Sequence, residues 1–223
     1  MAGQRTLAPK PRARRSRKES DSRPQEIVDA AFQEFAAKGF AGTRLEDVAT
    51  RAGVSKGLPY LYFKTKEELF KAVVKSIVTP AFDAMRNEVE TTPLSTEAFL
   101  KGPFLAFLQN IVGSRRATIA RLLIAEGPKH PELTAFYYEH LLSRGLATLR
   151  ALIDRGVERG EFRATPLRDF PQLLFAPVLT AILWRALFER HLHLDTDRLL
   201  ETHIGLLLDA IRAPGAAPLR AGR

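Results

Sequence analysis

No cysteine occurs in the 223 residues, which excludes disulfides, thiolate metal sites and cysteine nucleophiles. No apolar run reaches the length of a membrane span. The longest, Leu173 to Trp184, is interrupted by Pro177 and Thr180. The basic N-terminus is not followed by a hydrophobic segment, so no signal peptide is expected. These absences predict a cytoplasmic protein with no membrane partner. There is no glycine-rich phosphate loop, no internal repeat and almost no strand signal. The hydroxyls and acids form no set of nucleophile, general base and orienting group. The chain is therefore expected not to be an enzyme and to carry no cofactor. His191 and His193 lie beside Asp195 without a cysteine or acidic cluster to complete a ligand set. They read as a polar helix end, and no metal is expected.

What is present is a globular composition, 45% hydrophobic and 26% charged, long enough for one or two domains with a substantial core. The charge is uneven. Residues 1–23 hold eight Lys and Arg against Glu19 and Asp21, which supplies +6 of the net +9. With Pro9 and Pro11 this segment is expected to be a disordered basic arm. Such an arm either lies along phosphates or in a minor groove, or is a solvated tail.

Helical periodicity dominates the rest. A first helix is expected over about 24–38, with Ile27, Ala30, Ala31, Phe32, Phe35 and Ala36 as its apolar face and Gly39 at its end. Thr43 to Glu46 and Thr65 to Glu68 read as capping boxes, the second opening a long helix over about 66–90. Between them, LEDVATRAGVSKGLPYLYF (residues 45–63) reads as two short helices joined by a tight turn. Leu45, Val48 and Ala49 form one apolar face, Gly53 supplies the reversal where φ > 0 is needed, and Ser55 is expected to N-cap the second helix. On that count Pro59 falls at the fourth helical position, where its missing N–H distorts the helix start. Further helices are expected at 95–112, 115–126, 131–159, 166–190 and 196–212, with a flexible tail over 214–223. The fold class is all-α: a three-helix head over 24–70 containing a helix-turn-helix, then a larger helical domain over 71–213.

Gly39-Phe40, Gly42-Thr43, Asp47-Val48-Ala49, Ala52-Gly53-Val54-Ser55 and Tyr60-x-Tyr62-Phe63 are spaced as in the DNA-binding domain of the TetR/AcrR family of bacterial regulators, which residues 27–74 closely resemble. The resemblance implies a regulator that binds double-stranded DNA. It implies that Thr43 and Arg44 meet the phosphate backbone at a helix N-terminus, where dipole and free N–H groups favour an anion. Ser55, Lys56, Gly57, Leu58, Tyr60 and Tyr62 would face the major groove or its walls, and Lys66 would pin a phosphate. Lys56 can reach a guanine edge or a phosphate; the Tyr60 hydroxyl bonds a phosphate or packs inward. Leu58-Pro59 departs from the family's usual Thr or Ser followed by an apolar residue, which implies an altered sequence preference.

The segment from Ile119 to Arg159 is similar, less specifically, to the effector and dimerisation domain of AefR-like or AcrR-like members. That implies a small-molecule effector bound among the middle helices and a homodimer through the helices around 166–190 and 196–212. Phe104, Phe107 and Leu108 share a helical face and, with Trp184, are expected to line the pocket, unless they are simply core. Arg121, Glu126, His130 and Tyr137 are expected to supply its polar groups. The function expected is a repressor released from a near-palindromic operator by its ligand. The rivals are a ligand-independent activator or architectural protein, and a helical enzyme fused to a DNA-binding head.

Overall fold

The computed structural model describes residues 13–213, so most of the basic arm and the whole tail lie outside the described residues. Every described element is helical, apart from an isolated bridge between Phe162 and Arg212. The chain divides into two compact units, one reaching to Val73 and one starting at Val74.

In the first unit α1 (Ala13–Gly42) begins well before the expected residue 24 and runs through Pro24. Ile27, Ala31 and Phe35, four residues apart, are fully buried. Gly39, at φ 74°, breaks the helix where expected. The chain then enters α2 (Leu45–Arg51), which buries Leu45, Val48 and Ala49. Gly53, at φ 68°, makes the turn into α3 (Leu58–Tyr62). The unit's last helix, α4 (Lys66–Ile77), adds Leu69, Phe70 and Val73 to the core. Phe35, Phe40 and Phe70 close a triangle with ring centroids 5.7, 5.4 and 5.5 Å apart. A buried carboxylate joins α1 to α2: Glu34 bonds Arg51 Nε at 2.5 Å and Lys38 at 2.8 Å, and Lys38 also reaches Asp47 at 2.9 Å.

Three local expectations need correction. The Thr43 box does not form: Arg44 is the N-cap of α2, and the buried Thr43 hydroxyl donates to the Gly39 carbonyl at 2.8 Å. Ser55 is not the N-cap of α3; Gly57 is. Pro59 therefore sits in the first turn, where its missing N–H has no intrahelical partner to lose. At Thr65 half of the box forms: Glu68 N–H donates to Thr65 Oγ1 at 3.2 Å, while the Glu68 carboxylate accepts from the N–H of Lys64, one residue before the cap, at 2.8 Å.

In the second unit the helix expected over 66–90 is interrupted at Val78, and α5 (Thr79–Thr91) restarts with Pro80 in its first turn. Next comes one continuous helix over 96–112: α6 (Thr96–Phe99), a π turn (Leu100–Phe104) and α7 (Leu105–Val112). Pro103 inside that π turn cannot donate to the helix ladder. After α8 (Arg115–Glu126), a second continuous helix is built likewise from α9 (Pro131–Tyr137), a π turn (Tyr138–Leu142) and α10 (Ser143–Glu158). The helix expected over 166–190 is a correction. Two 3-10 turns (Pro166–Arg168 and Pro171–Leu174) precede α11 (Ala176–Leu187). Pro171 forces Phe170 out of the helical region, to φ −122° and ψ 58°. The last helix is α12 (Thr196–Ile211).

The core of this unit is apolar: Phe99, Leu100, Leu108, Ala181 and Leu200 are essentially inaccessible. One end is fixed by ions. Buried Glu97 binds Lys101 at 2.6 Å and Arg212 at 2.8 Å, and the Glu161 carboxylate accepts the Glu97 N–H at 3.0 Å. Gly156 lies so close to Phe162 that a Cβ would stand 2.2 Å from its ring.

Candidate DNA-reading surface and ligand cavity

Around the helix-turn-helix, Arg44, Ser55, Lys56 and Gly57 are exposed. Tyr60 and Tyr62 are 46% and 39% exposed, and Leu58 is half-buried behind Pro59. Thr43 is the expected contact that does not reach the surface, because its side chain is spent inside the head. Lys66 donates to the Ala41 carbonyl at 3.1 Å and sits 4.7 Å over the Phe40 ring, so its ammonium is held at the corner between α1 and α2. The Tyr60 hydroxyl donates to Glu46 Oε1 at 2.7 Å. That bond raises the phenol's pKa and, together with other local hydrogen bonds, lowers that of the carboxyl. A phosphate contact by Tyr60 must therefore displace Glu46. Leu61, 80% exposed, was absent from the sequence expectation. Its signal was its place between two outward tyrosines, which an apolar residue hides.

The second unit carries a partly open cavity of about 670 Å³ walled by α5, the helix over 96–112, α8, the helix over 131–158 and the start of α11. Of the expected residues, Phe104, Phe107, Leu108 and Tyr137 line it. Arg121, Glu126, His130 and Trp184 do not. Arg121 is exposed and donates to Thr118 at 3.2 Å. His130 lies 3.4 Å from Glu132. Trp184 donates its indole N–H to the Leu192 carbonyl at 2.8 Å and meets Phe188 edge-on. His193 contacts Glu189, as a polar helix end would.

The walls are mostly apolar, and their polar groups are few. Burial pushes the Tyr137 hydroxyl up to about 12, so it stays a neutral donor. His140 stacks on Phe136 at 4.4 Å, with a ring nitrogen 3.1 Å from the Phe136 carbonyl. Arg116 was missed, because it sits at the start of α8 and only the packing of α8 on its neighbours turns it to the cavity. Both π turns contribute wall: Phe104 from one, Tyr138, His140, Leu141 and Leu142 from the other. π turns inside α-helices are frequent at functional sites.

A head that presents a short helix beyond a glycine turn, followed by a hollow helical unit, defines a DNA-binding transcriptional regulator with a receiver domain. Comparison with known proteins carries this further. Residues 27–73 match the family of bacterial regulatory proteins of the TetR type, and residues 100–202 match the tetracycline-repressor-like C-terminal domain. The chain is 31% identical over 151 residues to the HTH-type transcriptional regulator EthR of Mycolicibacterium smegmatis, covering 67% of this chain and 68% of that one. It is 26% identical over 176 residues to SrpR of Pseudomonas putida, covering 78% and 80%. In fold it is similar to a TetR-family regulator of Mesorhizobium loti (TM-score 0.72, 24% identity, 87% of this chain and 98% of that one). It is also similar to FadR of Bacillus subtilis, solved with stearoyl-CoA (TM-score 0.64, 21% identity, 84% and 99%). The chain belongs to the TetR family.

Proposed function

We propose that this protein is a homodimeric repressor that leaves a near-palindromic operator when a small molecule fills the cavity of its second unit. The cavity carries this reading. Its size falls within the range of small-molecule sites, and a mostly apolar wall with a few polar groups is the pattern of such sites. The relative solved with stearoyl-CoA supports an effector with a long apolar part. The head, over 24–70, reads DNA through Arg44, Ser55, Lys56, Gly57, Leu58, Tyr60 and Tyr62, and residues 71–213 receive the ligand. Leu183, Leu187 and Phe188 on and after α11 and Leu206 on α12 are exposed apolar residues that suit a second copy. The ligand acts by binding better to the dimer whose heads are misplaced for DNA, and the shift is limited by that difference in affinity.

The test begins with selection of bound duplexes from a random pool at fixed salt, followed by titration of candidate ligands against the selected operator. A two-fold symmetric motif and weakened operator binding on titration support the reading. A motif whose affinity no cavity-binding ligand alters would overturn ligand control and leave a ligand-independent regulator.

A further inference from the structure

Arg116 brings a charge to the cavity wall with no carboxylate to balance it. Its Nη2 donates to the Asn110 side-chain carbonyl and, at 3.5 Å, to the Asn110 main-chain carbonyl. Its Nε is buried with no hydrogen-bond partner among the described residues. Guanidinium stays charged at any ordinary pH; the side chain is half-buried, and the cost falls on the buried Nε–H that lacks an acceptor. Burial is the cause that lowers this group's pKa. The other charges at the cavity do not offset it. Asp83 is the single acid in the wall and is 3.2 Å from Arg86, while Arg144 adds another cation. A cationic ligand would find no free carboxylate in this wall, and a neutral one would leave Nε–H as it is.

We infer that the effector is an amphipathic anion, its apolar chain filling the cavity and a single carboxylate-like head accepting from Arg116 Nε. This deepens the proposed function and rests on the cavity being the effector site. A charge-assisted bond of this kind is among the stronger polar contacts available to a ligand. Dodecanoate, methyl dodecanoate and dodecylammonium share one chain and differ in the head. Titration calorimetry of the full chain, below micelle-forming concentrations, is expected to show dodecanoate binding about tenfold or more tighter than the ester. Arg116→Gln is expected to erase that preference without altering operator binding in the absence of ligand. Arg116→Lys, which restores the charge, should recover part of it. Equal binding of acid and ester, or tighter binding of the ammonium, overturns the anion. Absence of binding by all three overturns the cavity as effector site, so the two failures are told apart.

Leu61 carries an independent inference. A leucine 80% exposed between two outward tyrosines has one apolar group to meet in a major groove, the thymine C5 methyl. The geometry points to Leu61 as a thymine-reading residue in each half-site. Replacing the thymines of the selected operator one at a time by deoxyuridine should weaken binding about threefold to tenfold at one half-site position. With Leu61→Ala that loss should vanish. Tolerance of deoxyuridine at every position, or a loss that persists in Leu61→Ala, overturns the assignment.

Discussion

Phe35, Phe40 and Phe70 of the head meet as a closed triangle, whereas Phe82, Phe104 and Phe107 of the second unit stand beside about 670 Å³ of unfilled space. Residues of one type thus do two jobs. In the head they fix the angle at which α3 is presented, since a five-residue helix has no stability of its own. In the second unit they also meet one another, Phe82 edge-on to Phe107 at 5.5 Å and Phe104 stacked on Phe107 at 6.4 Å, but as an open chain of rings that lines the cavity. Charges divide the same way. Glu34 is buried with two cationic partners, and Arg116 meets the cavity with no acid beside it.

The sharpest way to break this contrast is to remove a ring from each set. Phe70→Ala should lower stability by about 3–5 kcal/mol in denaturant titration. Phe107→Ala, from a half-buried position beside existing space, should lower it by about 1–2 kcal/mol. Equal losses would mean that the cavity is closed in solution. Adding volume should show the reverse. Ala31→Leu, at a fully buried site in the head, is expected to cost about 1–3 kcal/mol. Ala120→Leu, in the cavity wall, should change stability by less than about 0.5 kcal/mol while weakening binding of any cavity ligand.

The charge contrast is tested by Glu34→Gln, which should destabilise the head by about 1–2 kcal/mol at neutral pH, allowing for partly exposed partners. Lys38 and Arg51 hold the Glu34 carboxyl below its ordinary 4.5. Its contribution is therefore complete above that value and lost as pH falls through the lower native one. The difference between wild type and Glu34→Gln should shrink along that acid limb; a constant difference would remove the ion pairs as its cause. Gly53→Ala is expected to cost about 1 kcal/mol, from φ 68° alone because a Cβ there would meet nothing within 4 Å. Circular dichroism melts would measure it.

The head was legible because its determinants are local. The spacing of Ile27, Ala31 and Phe35, and the glycines at 39 and 53, each act within a turn or two of themselves. Errors arose where neighbouring signals competed. Thr43 and Ser55 look like caps, but their turns close one or two residues later, which also moves Pro59 to a harmless position. In the second unit the apolar residues of 166–190 suggested one long helix, but Pro171 breaks it, while Pro177 fits the first turn of α11. Cavity membership was legible on the face carrying Phe104, Phe107 and Leu108 and at Tyr137. Which of Arg116, Arg121 and Glu126 meets that space depends on how α8 rotates against its neighbours, and no periodicity within α8 fixes that.

The π turn at Tyr138–Leu142 has a consequence for how such a receiver diverges. A π turn holds one residue more than the α-helix around it requires, so it accommodates a one-residue insertion within a single turn. Deleting one residue there would restore regular winding, but it would rotate α9 against α10 by about 100°. Tyr137 and the other side chains near the turn would then swap places with their neighbours. A single codon gained or lost at this point is thus a short evolutionary path from one ligand specificity to another, with the flanking helices left intact.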